Sequence, residues 1–209
     1  MKKVALLIIL SLGLVSTKIW SQSSITKKSQ ISNKMEVATL ANGCFWCTEA
    51  IFQRLNGVEK ITSGYSGGRT RNPSYKEVVT GKTGHAEAIQ IEFDNEVISF
   101  QEILDVFFST HDPTTLNRQG YDRGTQYRSA IFYHNDEQKR TAEEFISDLT
   151  SAEVYDVPIV TEVTEFDKFY AAEDYHQNYY NNNRTQGYCM AVINPKLKKF
   201  LKQYKSKLK

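Results

Sequence analysis

Two of the three cysteines in the chain lie three residues apart, in the segment Gly43-Cys44-Phe45-Trp46-Cys47. Cysteines at this spacing serve as a dithiol–disulfide redox pair, as half of a zinc site, or as a nucleophile beside an unrelated neighbour. Zinc is the weakest hypothesis, because a structural zinc site needs four ligands and no second motif of paired ligands accompanies this one. A redox pair of the thioredoxin type is stronger, since the segment stands where a strand is predicted to lead into a helix.

Cys44 is a candidate nucleophile. Asn42-Gly43 predicts a turn, and apolar residues follow at helical spacing as far as Leu55. This pattern puts Cys44 at or next to a helix N-terminus, where the helix dipole lowers the pKa of a thiol and favours the reactive thiolate. Free cysteine is also commonly a small buried hydrophobic residue, and the pattern leaves both interpretations open.

Glu87 is a candidate acid. It lies in a predicted strand from Gly84 to Phe93, and by the period of two its side chain shares a face with Ile89 and Ile91. A carboxyl group buried on an apolar face has a raised pKa and can donate a proton near neutral pH. The pattern fits equally well a glutamate at the exposed start of the strand, or one held in a structural ion pair.

Other side chains could take part in ligand binding. Phe45 and Trp46 are either ordinary core residues or the walls of a pocket for a small apolar group such as a methyl. Tyr75 and Tyr127 lie at loop or strand-start positions, where a phenol can reach a polar ligand. Asp122 lies in a turn-rich loop, and turn chemistry is its simplest interpretation.

Composition and charge exclude several classes of protein. Hydrophobic residues make up 40% of the 209 residues, which is enough for one folded domain with a sizeable core. The formal net charge of +2 is too close to zero to indicate a nucleic-acid partner, and none is expected. Three cysteines are an odd number and too few for a disulfide framework, so they are better interpreted as residues that take part in a reaction.

The N-terminus is typical of exported proteins. Lys2 and Lys3 precede an apolar run over residues 4–15, which is short for a membrane span and predicts a signal peptide over residues 1–21. Residues 22–34 are polar and predict a disordered linker, which leaves residues 35–209 as a single catalytic domain. A periplasmic or secreted location is expected, with an uncleaved leader that tethers the protein to a membrane as the alternative.

The order of predicted elements indicates the fold class. Strands and helices alternate from Glu36 to Thr164, and the residues from Gly64 to Arg69 are predicted to be a glycine-rich loop. One predicted helix begins with a capping box of Ser99 and Glu102, and Asn135 is predicted to cap another helix that ends at about Leu149. This alternation indicates an α/β or α+β fold, in which helices pack on a mixed sheet.

Seven motifs occur together in the order of a known family. The motifs are GCFWC at 43–47, GYSGG at 64–68, NPSY at 72–75, GHAEA at 84–88, HDPT at 111–114, DRGTQYRS at 122–129 and AEDYHQ at 172–177. With these motifs the chain resembles the peptide methionine sulfoxide reductases of the A type from about Val37 to Phe200. One such motif is weak evidence, whereas seven in sequence order are highly specific.

The resemblance implies a role for each candidate residue. Cys44 would be the nucleophile, and Phe45 with Trp46 would enclose the methyl group of the sulfoxide. Glu87 would protonate the sulfoxide oxygen, Tyr75 and Tyr127 would hydrogen-bond it, and Asp122 would help to hold substrate or water. The resulting sulfenic acid would condense with a resolving cysteine, which is Cys189 by resemblance, carried on a flexible segment rich in asparagine from Tyr179 to Arg184.

The resemblance also implies the partners and the fold. The substrates would be free methionine sulfoxide and oxidised proteins, the S epimer in each case, and an external dithiol of the thioredoxin kind would reduce the enzyme. No bound cofactor and no metal are expected, and the protein is expected to be a monomer. The family fold is a ferredoxin-like two-layer plait with a mixed sheet, flanking helices and long loops.

Cys47 departs from the commonest family pattern, in which glycine takes this position. It is a possible second resolving thiol, because one helical turn would bring it close to Cys44. Two other functions remain as alternatives: a general thiol–disulfide exchange protein that uses Cys44 and Cys47, and a redox-sensing or binding module without catalysis. Glu87 distinguishes these alternatives from a sulfoxide reductase, because exchange between thiols needs no acid that faces an oxygen atom.

Overall fold

The computed structural model describes residues 35–209, so the predicted signal peptide and linker lie outside the described residues. Within these residues the chain forms eight strands: β1 Met35–Asn42, β2 Val58–Ser66, β3 Ala86–Asp94, β4 Arg118–Gln119, β5 Asp122–Arg123, β6 Ser129–Tyr133, β7 Glu162–Glu165 and β8 Phe169–Ala171. The α-helices are α1 Phe45–Phe52, α2 Tyr75–Val78, α3 Phe100–Ser109, α4 Asp136–Ser151, α5 Tyr179–Asn182 and α6 Asn194–Gln203. Among the described residues, none of the helices has the length and apolar character needed to cross a bilayer.

Six strands form one mixed sheet in the order β7-β6-β1-β3-β2-β8. All neighbouring pairs are antiparallel except β6 and β7, which are parallel. The two short strands β4 and β5 pair with each other in a separate ribbon. The α+β architecture with helices packed on a mixed sheet therefore agrees with the predicted fold class.

Strand β3 is central because its residues are buried on both sides of the sheet. Ile89 and Ile91 belong to the main hydrophobic core, where they pack with residues of α1 and α3. Ala86 and Ala88 belong to a second, smaller cluster on the opposite face, which includes Phe132 of β6. Side chains therefore alternate between the two faces along the whole strand. At the beginning of the strand, however, the face opposite Ile89 and Ile91 is buried by this second cluster and is not exposed to solvent.

Local sequence signals place two helices correctly. The hydroxyl group of Ser99 accepts the N–H of Glu102, and the carboxylate of Glu102 accepts the N–H of Ser99, so the predicted capping box at the start of α3 is confirmed. The side chain of Asn135 likewise accepts the N–H of Gln138 and caps α4. The C-terminal segment forms α6, and it docks through buried Leu197 among other apolar residues.

Two strands differ from the prediction. Gly64 and the two residues after it belong to β2 and are not part of a loop, and β8 was not predicted at all. The reason is tertiary: β2 is held between β3 and β8, and a Cβ atom at Gly64 would lie 2.3 Å from the carbonyl oxygen of Tyr170. The glycine permits this close approach, which no alternation in the sequence reveals.

A buried carboxylate connects α1 to the C-terminal part of the chain. Glu49 is 3% exposed, and its two oxygens accept the backbone N–H groups of Asn178 and Tyr179 at 2.7 and 3.2 Å. Asn178 has a φ of 51°, so these hydrogen bonds hold a left-handed turn at the start of α5. The position of the segment that leads to Cys189 therefore depends on Glu49.

We expect Glu49→Gln to lower the free energy of unfolding by about 1–3 kcal/mol, because an amide group can accept only one of the two N–H groups and presents its own N–H₂ to the other. Urea denaturation measures the change. Glu59→Gln is the matched control, since Glu59 is exposed on β2, and it should stay within about 0.5 kcal/mol of the wild type. Equal effects of the two substitutions would contradict the role of Glu49.

Candidate active site

The first turn of α1 positions both thiols of the C-x-x-C motif. Gly43 has a φ of 101° and lies against Gln119, so a Cβ atom there would be 2.7 Å from that side chain. Cys44 is the N-cap residue, and its carbonyl oxygen accepts the N–H of Cys47 at 3.0 Å. The hydroxyl group of Thr48 donates to the side-chain oxygen of Asn42, which ties the helix to the end of β1.

The two thiols lie in different electrostatic surroundings. Burial, the neighbouring Cys47 and the charge of Glu87 raise the pKa of Cys44 well above its ordinary value. The expected lowering of the pKa by the helix N-terminus is therefore wrong for the free site, because burial outweighs the dipole. The hydrogen bond from Cys44, followed by the charge of Lys196, lowers the pKa of Cys47 to about 7. In the substrate-free site Cys47 is therefore the more readily ionised of the two thiols.

Glu87 lies on the apolar face of β3, as one of the two sequence-based interpretations held. It is 2% exposed, and its Oε2 atom accepts the backbone N–H of Phe45 at 3.1 Å. Burial raises the pKa of Glu87 to about 8, against the opposing effect of this N–H group. Its carboxyl group is therefore largely protonated at neutral pH, and it lies next to the residue that follows Cys44.

Tyr75 and Tyr127 bring two phenol groups towards the same place. Burial, followed by the charge of Glu87, raises the pKa of Tyr75 to about 12 and that of Tyr127 further in the same direction. The charge of Cys44 contributes to both shifts, so each phenol lies within electrostatic reach of both groups. The phenols stay protonated and can donate hydrogen bonds to an oxygen atom between Cys44 and Glu87.

The aromatic side chains after Cys44 are held in a fixed orientation. The indole N–H of Trp46 donates to Nδ1 of His176 at 3.1 Å, and the indole ring stacks on Tyr179 with 3.7 Å between the ring centroids. Phe45 is fully buried and stacks on Tyr75, with 6.5 Å between the ring centroids. Trp46 and Tyr75 are both half-buried, so a ligand can reach part of each ring.

Asp122 and Tyr188 close the other side of the site. The hydroxyl group of Tyr188 donates to Oδ2 of Asp122 at 2.6 Å and lies 3.8 Å from the sulfur of Cys47. The same hydroxyl group lowers the pKa of both cysteines of the motif. Asp122 therefore has a partner within the site and is not only a turn residue. The sequence analysis did not single out Tyr188 or His176; adjacency to Cys189 was the one available signal for Tyr188.

The thiols open onto one cavity of about 330 Å³. Residues of α1, the β4–β5 ribbon and the C-terminal segment line it: Cys44, Cys47, Gln119, Gly120, Tyr121, Asp122, Tyr188, Ala191, Val192, Pro195 and Lys196. Glu87, Tyr75 and Tyr127 are not among the residues that line it. The cavity therefore gives access to the thiols from the side of the C-terminal segment.

Cys189 does not line this cavity. It is fully buried at the start of a π-helical turn, Cys189–Ile193, and its pKa is raised by burial and by the charge of Cys47. The segment rich in asparagine is not the flexible arm that was expected, because Tyr179–Asn182 forms helix α5. All three cysteines are free, and among the described residues no group of histidine, cysteine and carboxylate side chains is arranged to hold a metal ion.

Comparison with known proteins agrees with this geometry. A family model described as peptide methionine sulfoxide reductase matches residues 36–209. The chain is 52% identical over 189 residues to the peptide methionine sulfoxide reductase MsrA of Deinococcus radiodurans, and the alignment covers 90% of this chain and 92% of that protein.

Solved structures of a relative are similar as well. Mxr1 from Saccharomyces cerevisiae in reduced form is 36% identical with a TM-score of 0.70, over 75% of this chain and 90% of that one. Mxr1 in complex with Trx2 matches with a TM-score of 0.51 at 27% identity, over 71% of this chain and 86% of that one. The chain therefore belongs to the peptide methionine sulfoxide reductase family and is a thiol-dependent (S)-S-oxide reductase of the MsrA type.

Proposed function

We propose that Cys44 is the nucleophile and Glu87 the acid in the reduction of methionine S-sulfoxide, either free or within oxidised proteins. The observation that carries this assignment is the position and protonation of Glu87. Its carboxyl group is buried, has a pKa of about 8, and accepts the N–H of the residue next to Cys44. A neutral acid beside a sulfur nucleophile is what the removal of a sulfoxide oxygen requires.

The first step transfers the oxygen atom to the enzyme. The sulfur of Cys44 bonds as thiolate to the sulfoxide sulfur, and Glu87 supplies the proton that the sulfoxide oxygen takes up. The oxygen then moves as a hydroxyl group to the sulfur of Cys44, while its bond to the methionine sulfur and the new S–S bond break and an electron pair stays on the methionine sulfur. The products are methionine, which has gained two electrons, and a sulfenic acid on Cys44. The phenols of Tyr75 and Tyr127 hydrogen-bond the oxygen, Phe45 and Trp46 enclose the methyl group, and Asp122 helps to hold the substrate together with Tyr188.

Cys44 must lose its proton for this step, although the free site keeps it as a thiol. Cys47 ionises more readily than Cys44, accepts a hydrogen bond from it and is the nearest base. The proton that Glu87 offers to the bound sulfoxide oxygen makes the sulfoxide sulfur more electrophilic. Attack by Cys44 is thus favoured only when a substrate is present, which limits side reactions of the nucleophile.

Resolution of the sulfenic acid involves the other two cysteines in sequence. Cys47 attacks Cys44 first, which forms a disulfide and releases water, because both residues line the same cavity and lie one helical turn apart. Cys189 then attacks Cys47, which forms a second disulfide and returns Cys44 to its thiol form. This order is supported by the lining of the cavity, which includes Cys44 and Cys47 but not the buried Cys189.

An external dithiol of the thioredoxin kind completes the cycle by exchange with the final disulfide. The structure of Mxr1 in complex with Trx2 supports this partner. A general thiol–disulfide exchange protein that uses Cys44 and Cys47 is not favoured, because such an activity gives no use for a protonated Glu87 aimed at the nucleophile. No bound cofactor enters any of these steps, and we propose that the protein acts as a monomer.

We also propose that the strand topology and the cellular location are those expected from the sequence. Four strands in the order β6-β1-β3-β2, with α1 and α3 as crossovers, support a ferredoxin-like plait. Lys2, Lys3 and the apolar run that follows support a signal peptide over residues 1–21, a linker over 22–34, a catalytic domain over 35–209, and export to the periplasm or beyond.

Cys44→Ser is expected to abolish the reduction of methionine sulfoxide with dithiothreitol as reductant, because a hydroxyl group cannot form the sulfenic acid. The assay follows methionine formation by chromatography. Cys189→Ser is the matched control and should retain turnover with this small dithiol. Turnover by Cys44→Ser at the wild-type rate would remove Cys44 from the mechanism.

Glu87→Gln should lower kcat/KM by about 10²–10⁴-fold, because the amide cannot donate the proton to the oxygen. Glu92→Gln is the control on the same strand, where the carboxylate is paired with Lys60 outside the site. A wild-type rate in Glu87→Gln would contradict the assignment of the acid.

The raised pKa of Glu87 also predicts how stability depends on pH. The carboxyl group keeps its proton in the folded state up to about 8, whereas its ordinary value in the unfolded chain is 4.5. Its contribution to stability is complete below 4.5 and is lost as the pH rises to about 8, at about 1.4 kcal/mol for each pH unit. Between about pH 5 and about pH 8 Glu87→Gln should therefore gain about 2–4 kcal/mol of unfolding free energy relative to the wild type. A constant difference in urea denaturation would show that Glu87 is not protonated at neutral pH.

The order of the disulfides can be tested by peptide mapping after a single turnover without reductant. We expect Cys189→Ser to trap a disulfide between Cys44 and Cys47 at the wild-type rate. Cys47→Ser should keep its sulfenic acid much longer, because Cys189 is buried away from the cavity. Rapid formation of a disulfide between Cys44 and Cys189 in Cys47→Ser would make Cys189 the direct resolving residue instead.

A further inference from the structure

A second cavity of about 440 Å³ lies beside the thiol cavity along helix α6. The two cavities share Gln119, Pro195 and Lys196 in their walls, so they are adjacent, and the second lies farther from Cys44. We call the second cavity the α6 groove. Its lining comes from the end of α3, the residues after it, and α6: Ser109, Thr110, His111, Asp112, Gln119, Pro195, Lys196, Lys199, Phe200 and Gln203.

The lysines of the α6 groove follow from the periodicity of the helix. Lys196, Lys199 and Gln203 occur at i, i+3 and i+7 and share one face, whereas Leu197 packs into the core. Lys198 is exposed but lines neither cavity. Helix α6 therefore presents two cations to the groove and other lysines away from it.

These two cations have little compensation inside the groove. The ion pairs among the described residues do not include Lys196 or Lys199. Asp112 is the carboxylate in the lining, and its Oδ1 already accepts the N–H and the hydroxyl group of Thr114 at 2.9 and 2.6 Å. His111 is neutral, because burial lowers its pKa to about 4. The groove is therefore positively charged overall.

We propose that the α6 groove binds the residues that flank methionine sulfoxide in a polypeptide, and that Lys199, with Lys196, selects acidic side chains among them. This inference rests on the proposed reaction at Cys44. A peptide with its sulfoxide at Cys44 can extend past the thiol cavity into the adjacent groove, since each extended residue spans about 3.3 Å. Free methionine sulfoxide has no flanking residues to place in the groove and therefore no contact with Lys199.

Lys199 is the better residue to test, because Lys196 also influences Cys47. The probes are short peptides with one methionine sulfoxide flanked on both sides by glutamate or by lysine, together with free methionine sulfoxide. The variants are Lys199→Glu and Lys199→Gln, with Lys198→Glu as the matched control that changes the same charge on the same helix. The measured quantity is kcat/KM at low and at high salt, with a saturating dithiol.

We expect Lys199→Glu to reduce the preference for the glutamate peptide over the lysine peptide by about three- to tenfold at low salt, which is the range of a reversed exposed charge pair. Lys199→Gln should reduce the same peptide preference by roughly half as much, when the two reductions are compared on a logarithmic scale. High salt should shrink the difference, because it screens exposed charges. Lys198→Glu should keep the wild-type preference, and all variants should reduce free methionine sulfoxide at the wild-type rate.

Three results would overturn the inference. One is the same peptide preference in Lys199→Glu and in the wild type, and another is an equal change in Lys198→Glu, which would indicate only the overall charge of the protein. A third is an unchanged peptide preference combined with a higher KM for thioredoxin, which would make the groove a docking surface for the reductant. Failure of the wild type to reduce free methionine sulfoxide would instead contradict the proposed reaction.

Discussion

The site depends on one hydrogen bond, from the backbone N–H of Phe45 to Oε2 of Glu87. The first N–H groups of a helix have no partner within the helix, and Glu87 satisfies one of them from the central strand of the sheet. This bond joins the helix that carries Cys44 to the strand that carries the acid. It also limits the effect of burial, so that the carboxyl group has a pKa of about 8 and can both hold and release a proton near neutral pH.

A second set of contacts extends this unit to the C-terminal part of the chain. Tyr188 connects Asp122 with Cys47, His176 holds the indole ring of Trp46, and Glu49 holds the turn before α5. The thiols are consequently enclosed, and burial outweighs the helix dipole at Cys44. Burial therefore keeps the pKa of Cys44 high in the free site. Enclosure also leaves the cavity beside α6 as the route to the thiols.

Local patterns were sufficient for a large part of the fold. The capping box at Ser99 and the N-cap at Asn135 fix the starts of two helices through contacts within one turn, so the sequence predicts them directly. Strands β2 and β8 were missed, because Gly64 and its polar neighbours carry no apolar alternation and are placed only by pairing with other strands. His176 and Tyr188 were missed for a similar reason, since each meets the motif residues across more than 100 positions of sequence.

The sequence by itself determined the chemistry: a thiol at a helix start, a glutamate on the apolar face of a strand, and the motifs that assign them to one family. Only the tertiary structure decided the protonation states and the geometry of the cysteines. Burial depends on what packs over a residue, so no spacing could show that Cys44 is held as a thiol or that Glu87 keeps its proton. Likewise Cys189 lies in the core beside Cys47 because distant helices enclose it, and this position favours a role after Cys47.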